Sequence, residues 1–413
     1  MASGFSWRRN VFAVTAASFV GFTGFTLVMP FLPLYIRSLG VTDVADTALW
    51  AGLSLGATPA VTAILSPFWG RVADRFGRKL MVERSLISFV ILMAAMAYVT
   101  QPWHILALRV VQGFFAGYGG LTLAMAAESA PRERMASAIG SVQTAQRLGP
   151  ALGPVIGGVA AGLVGLRQAF FVTAAFYLAA LVLVFVLYRD PEAAPDPAGA
   201  SSSPRAEVHA LLRGPGFVLM MAVIFAVTFV DRSFGPILPL YVEHLGVAPG
   251  RVAMVAGILF TTTAAGAAIG NYVCEYLLLR TRPARVVAGG AATAAAALTA
   301  FLALSGLWAL GTSLAVFGVG VGTAITAAYT IGGRTVPISM HATGFGFMTA
   351  ASLAGLALSP IIAGLLSRGS LLIVFGVDVL MLALAGVAVY RGLPAGGIPA
   401  DAGEVPASAQ DAI

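Results

Sequence analysis

Apolar stretches about twenty residues long recur along the chain without strict alternation, at 11–36, 48–70, 81–100, 104–127, 137–163, 168–188, 216–243, 251–275, 285–306, 308–330, 342–366 and 370–390. A helix rising about 1.5 Å per residue needs roughly twenty residues to cross a hydrocarbon core about 30 Å thick. Twelve membrane-crossing helices are therefore predicted. A porin-like barrel is excluded, because its lumen-facing residues would be polar at every second position. The expected fold class is an all-α integral membrane protein.

The polar breaks between these stretches carry the topology. Arg8, Arg9, Arg71, Arg75, Arg78, Lys79, Arg132, Arg134, Arg189, Arg205, Arg213, Arg280, Arg282, Arg285, Arg334 and Arg391 fall on one side of the predicted spans, and Arg37, Arg167, Arg251 and Arg368 fall on the other. Sixteen cations against four predict both termini in the cytoplasm. The stretch 189–214, with "DPEAAPDPAGASSSPR", has linker composition and separates 1–188 from 215–391, leaving 392–413 as a tail. Arg8 and Arg9 precede an apolar run that continues into Pro30 and Pro33, so a retained first span is expected and not a cleaved export signal.

Composition agrees with this reading. The 413 residues are 59% hydrophobic and 10% charged, where a soluble domain is about 45–50% apolar and about 25% charged. The formal charge of +7 belongs to membrane topology, and no nucleic-acid partner is expected, since that would require the arginines gathered on one soluble face. The single cysteine, Cys274, has no partner for an intrachain disulfide and reads as an inert core residue.

The chain also repeats itself. "PFLPLYIRSLG" at 30–40 and "PILPLYVEHLG" at 236–246 agree at seven of eleven positions, and the same shift of 206 residues carries "GPALGPVIGG" at 149–158 onto "GLALSPIIAG" at 355–364 with six of ten identical. Two phrases in one register indicate a duplicated six-span half. Parallel repeats of this kind build transporters that hold substrate near the midplane between rocking halves.

Three phrases fall at defined places in this frame: "GRVADRFGRK" at 70–79 after the second span, "RVVQGFFAG" at 109–117 in the fourth, and "GPALGPVIGG" in the fifth. They resemble motifs A, B and C of the major facilitator superfamily, and with "LVMPFLPLYIRSLG" the chain is similar to its twelve-span drug:proton antiporters, the bacterial multidrug and tetracycline exporters. The resemblance covers nearly the whole chain. It implies two pseudo-symmetric six-helix bundles of the major facilitator fold, placed in a bacterial inner membrane.

Each motif has a physical reading beside the resemblance. In motif A, Gly70 and Gly77 permit close backbone approach, and Asp74 places a carboxylate where a helix N-terminus favours negative charge. The resemblance supplies that helix as the eleventh span, beginning near Ala342, with Arg75, Arg78 and Lys79 on lipid headgroups; a solvated charged turn is the alternative. The second-half counterpart, "GNYVCEYLLLRTRPAR" at 270–285, retains Glu275 but loses the motif, so the latch is one-sided. In motif C, Gly149, Gly153 and Gly157 recur every fourth residue, with Gly158 beside them, and Pro150 and Pro154 weaken the helical ladder. That suits a flat, bendable helix at the seam between halves. Ser359 and Ala363 stand for glycines in the second copy, which predicts looser packing there.

A charge at the bilayer centre costs about 2.5–3.5 kcal/mol and marks function by default. Arg109, Arg147, Asp231, Arg232 and Asp378 are such charges. In the superfamily the first, fourth, seventh and tenth spans line the cavity, so the resemblance assigns Arg109 and Asp231 to proton coupling, with Asp231 the carrier and Arg232 or Arg109 tuning it. A local Asp231–Arg232 pair and a packing role for Asp378 are the structural alternatives. Arg147 pairs with Asp231, binds an anionic substrate group or turns to a water-filled cleft, and the sequence does not separate these. Glu83 and Arg84 read as a structural pair beside motif A. The expected apolar lining is Phe22, Phe25, Met29, Phe114, Tyr118, Phe225, Phe229, Phe317 and Tyr329.

Few cavity charges among many aromatics fit amphiphilic substrates better than sugars. The expected function is proton-coupled export of such compounds by a monomer, with small molecules, protons and the bilayer as partners. A metabolite carrier or uptake symporter, and a non-transporting sensor or scaffold, are the alternatives. An enzyme is not expected: the four histidines lie apart, with no metal-spaced ligand set and no nucleotide loop, so neither cofactor nor metal is called for.

Overall fold

A computed structural model of the chain describes residues 7–131, 134–189, 215–303, 306–336, 341–368 and 370–392. Its helices are α1 (Trp7–Leu27), α2 (Leu32–Ser38), α3 (Val44–Phe76), α4 (Arg78–Met96), α5 (Pro102–Phe115), α6 (Tyr118–Ser129), α7 (Met135–Val164) and α8 (Gln168–Leu187), then α9 (Pro215–His244), α10 (Pro249–Arg280), α11 (Pro283–Ala303), α12 (Leu307–Arg334), α13 (His341–Leu366) and α14 (Leu371–Gly392). With α1–α2 and α5–α6 each forming one broken span, twelve spans result, as expected. Among the described residues, eleven segments are long and apolar enough to cross a membrane. The remaining span, α4, falls short by composition because Arg78, Lys79, Glu83 and Arg84 crowd its first turns.

Two spans differ from the expectation of continuous helices. The first is broken at Val28–Phe31, where Pro30 and Pro33 remove ladder donors, and α2 restarts with proline in its first turn. Pro236 and Pro239 occupy the same phrase in the second copy, yet α9 runs through them unbroken. The fourth span is broken at Ala116–Gly117, with Gly117 at φ +116°. A left-handed backbone there favours glycine.

Packing divides the described residues into two compact units. The first contains those of 1–198, 232–265 and 356–374, and the second those of 199–231, 266–355 and 375–413. In the first unit, Gly149, Gly153 and Gly157 bring α7 onto the backbone of α1 at Phe19, Thr23 and Leu27. Pro154 has no N–H for the carbonyl of Pro150, and Thr26 Oγ1 donates to that carbonyl at 3.4 Å. An aromatic core of Phe31, Tyr35 and Phe170 packs edge to face, and Asn10 ties α1 to the end of the sixth span through the carbonyl (2.6 Å) and N–H (3.1 Å) of Arg189. In the second unit, Gly290 and Gly320 bring α11 and α12 together, Gly266 and Gly270 seat α10 on α12, and Phe301 meets Phe375 at 5.1 Å.

These contacts set the tolerance for side-chain growth. Gly157→Leu forces a side chain onto the Leu27 carbonyl and is expected to cost about 1–3 kcal/mol, lowering the apparent Tm in detergent. Gly140→Leu, where a Cβ meets nothing within 4 Å, leaves Tm unchanged. Equal Tm values for the two variants would contradict the close α1–α7 packing.

Candidate functional site

Motif A forms the end of α3 and the start of α4. Gly77, at φ +95°, terminates one helix and opens the next. Arg75 is exposed over the Phe76 ring. Arg78 and Lys79 are not left to lipid headgroups, contrary to expectation. Arg78 pairs with Glu128 of α6 at 2.7 Å, while Lys79 donates to the Tyr188 carbonyl at 2.9 Å and approaches Glu83 at 3.8 Å. Arg84 does not form the expected pair with Glu83 but stacks 3.5 Å from the centroid of Trp69. Gly70 and the side chains of Asp74 and of the first turn of α13 at Ala342 lie outside the described residues, and so does the contact expected between them.

Arg109 is enclosed and does not line open space. It is 2% exposed, and its Nη1 donates to Gln112 Oε1 at 3.1 Å within one helical turn. Its Nε and Nη2, with Gln112 Nε2 and the hydroxyls of Tyr118 and Tyr177, find no hydrogen-bond partner in the protein. Arg109 keeps its positive charge inside the first unit, where Tyr118 also stacks with Phe22 and Phe89 at 5.2 and 6.0 Å. Of the other expected lining residues in this unit, Phe25 and Met29 are half-buried, Phe114 is exposed, and Arg147 is exposed on α7.

Motif C has two working faces, and the sequence pointed to the wrong one for the seam. The Gly149–Gly153–Gly157 face packs on α1 of its own half. The face that meets the second half is Ala151, Pro154 and Gly158: Thr261 Oγ1 donates to the Ala151 carbonyl at 2.8 Å, Gly257 lies on the Pro154 carbonyl, and Gly158 lies on the Ala253 carbonyl. The second copy repeats this against α3. Gly56 meets the Ala357 carbonyl, Gly52 the Pro360 carbonyl, and Gly364 the Ala48 carbonyl. At this face both copies approach at backbone distance; the looser packing expected from Ser359 and Ala363 concerns the other face of the helix, where both residues are buried.

One end of this seam is closed by charge. Arg37 and Glu243 form an ion pair across 206 residues, which is the repeat register itself. Beside it, Arg368 reaches Asp46 at 3.6 Å. The mirrored contacts of α3 and α10 put Gly162 and Arg251 at the places of Arg368 and Asp46, and beside Gly162 lies a cavity of about 480 Å³ walled by Leu34, Leu166, Arg37 and Glu243. The sequence carried the signal for the Arg37–Glu243 pair, since opposite charges stand at equivalent positions of the two copies.

In the second unit, Asp231 is half-buried midway along α9, as is Arg232 where that helix enters the first unit. Phe225 and Phe229 stack at 5.9 Å, Tyr329 donates to the Met348 carbonyl at 3.4 Å, and Phe317 is 1% exposed, which removes it from any lining. Asp378 is fully buried in α14. Among the described residues, no three His, Cys, Asp or Glu side chains gather where they could hold a metal ion.

Duplicated helical halves meeting along a glycine seam define a multi-pass membrane protein. The chain belongs to the Major Facilitator Superfamily, whose sequence profile matches residues 14–256. It is 36% identical over 255 residues to the multidrug resistance protein MdtG of Serratia proteamaculans (strain 568), covering 62% of each chain. It is 35% identical over 268 residues to the MdtG of Enterobacter lignolyticus (strain SCF1), covering 64% of this chain and 63% of that one. These matches span less than two thirds of either relative. Among solved structures, a bacterial homologue of the human lysosomal transporter Spinster superposes with a TM-score of 0.76 at 18% identity, covering 94% of this chain and 97% of that one. A D-xylose–proton symporter gives 0.75 at 14%, covering 94% and 98%. At those identities the likeness concerns the fold.

The charged closure is open to a direct measurement. Arg37→Glu or Glu243→Arg sets like charges face to face and lowers the apparent Tm in detergent, while the double reversal recovers most of the loss. The coupling is expected to reach about 1 kcal/mol at most, because both side chains keep access to water. Additive losses in the double variant would show that the two residues do not interact.

Proposed function

We propose that the chain is a proton-coupled exporter of amphiphilic compounds, working by alternating access as a monomer in the bacterial inner membrane. Both termini lie in the cytoplasm and no cofactor takes part. The observation that carries this reading is the duplicated seam at the Arg37 end. Helix pairs α7–α10 and α3–α13 meet there mainly through glycines on carbonyls, a contact that involves few large side chains and so suits surfaces that part and rejoin. The closing ion pair is about one third exposed on either side and contributes about 0–1 kcal/mol, which suits a contact that must open in every cycle. Motif C in α7 and the relatives named for multidrug resistance support export over uptake.

In this reading Asp231 carries the proton. It is half-buried on a membrane helix, where an ionised carboxylate costs about 2.5–3.5 kcal/mol and protonation removes that cost. Arg109 cannot give up its proton and serves as fixed charge. Cells expressing the protein are expected to survive amphiphilic antimicrobials at higher doses than cells lacking it. Asp231→Asn should abolish pH-gradient-driven efflux from vesicles while substrate still binds in detergent. A wild-type exchange rate in that variant would remove Asp231 from the mechanism.

Orientation has its own test. With Cys274 replaced by serine, a cysteine at exposed Thr42 should label with a membrane-impermeant maleimide in intact cells, and one at Arg189 should not. The reverse pattern would invert the topology.

A further inference from the structure

Span four loses its helix between Phe115 and Tyr118, inside a membrane segment. The last carbonyls of α5 then lack intrahelical donors, and irregular backbone at membrane depth persists only where the protein satisfies it. Two side chains do so from outside the span. Trp69 Nε1 donates to the Phe114 carbonyl at 2.6 Å, and Arg84 Nη2 donates to the Phe115 carbonyl at 3.2 Å. The Arg84 guanidinium lies 3.5 Å from the centroid of the Trp69 ring and 5.6 Å from that of Phe115, so the two donors brace each other.

Their places in the chain matter. Trp69 immediately precedes Gly70, the first residue of motif A, and Arg84 follows its last, Lys79, on the next helix. Nearer the start of the span, Thr58 Oγ1 donates to the Arg109 carbonyl at 2.9 Å and Thr62 Oγ1 to the Gly113 carbonyl at 3.4 Å. The helix that ends in motif A thus grips α5 at Arg109, Gly113 and Phe114.

The second copy supplies an internal control. Neither the 206-residue shift (Glu275, Gly290) nor the 205-residue shift that the contacts of α10 follow (Cys274, Gly289) puts a tryptophan or an arginine at the places of Trp69 and Arg84, and the 206-residue shift sets Thr323 at that of Gly117. There α12 runs unbroken from Leu307 to Arg334. The break and its two donors occur together in one half and are absent together from the other.

We propose that Trp69 and Arg84 are positioning residues that hold span four in its broken form and make the placement of Arg109 and Tyr118 follow motif A. The claim about the break stands whatever the protein carries; its bearing on transport rests on the exporter reading. The test uses the full chain in lipid nanodiscs, with amide hydrogen exchange over 110–125 for wild type, Trp69→Phe and Arg84→Gln, and proton-driven efflux from proteoliposomes in parallel. Exchange in that segment is expected to quicken roughly five- to tenfold in each variant, with α8 and α14 unchanged, and maximal efflux should fall. Unaltered exchange over 110–125, or an equal rise in every helix, would overturn the proposal. If wild type shows no efflux while the exchange result holds, the exporter reading fails and the clamp survives.

Discussion

Helices in a bilayer cannot be held together by expelling water, because lipid tails are as apolar as leucine, so their association depends on how closely backbones approach. In this chain that approach is made by glycine. Gly149, Gly153 and Gly157 lay α7 on α1, Gly158 and Gly257 join α7 to α10, and Gly52 and Gly364 join α3 to α13. A side chain at any of these positions would collide with main-chain atoms. The same feature that permits tight contact keeps large side chains few at these crossings.

Duplication explains why the contacts come in pairs, and divergence explains where they do not. Pro154 and Pro360 each offer a carbonyl to a glycine of the facing helix. Arg37 and Glu243 occupy one position in the two copies and neutralise each other. A symmetric pair of arginines or glutamates there would repel, so the two copies had to take opposite signs for the end to close. Elsewhere the copies diverged: Asp46 and Arg368 approach at 3.6 Å on one flank, while Gly162 and Val252 line a cavity beside the charged pair on the other.

Span four concentrates the polarity of the first unit. Arg109 sits among donors and hydroxyls that the protein itself does not satisfy, and the span breaks shortly beyond it. Buried, unsatisfied polar groups are costly. The grip of α3 on α5 ties this region to motif A, with Trp69 and Arg84 at the break in the helix.

Twelve spans, the duplication and the three motifs were legible in the sequence because each is a local or periodic property: apolar length, repeated words, glycine spacing. Even α4, which hydropathy passes over, was legible from the apolar residues that follow its charges. The break in span one was not. "PFLPLY" bends while "PILPLY" continues as helix, so near-identical local chemistry gives two outcomes and the surrounding packing selects between them. Nor could spacing tell which face of motif C meets the second half, since Gly149, Gly153 and Gly157 advertise one face while Ala151, Pro154 and Gly158 use the other. Arg84 was read as the partner of its neighbour Glu83, and its true contacts lie with Trp69 and Phe115, on helices before and after its own. Sequence determines what each helix can present to a neighbour; which neighbour receives it depends on three-dimensional proximity, and only the tertiary structure decides that.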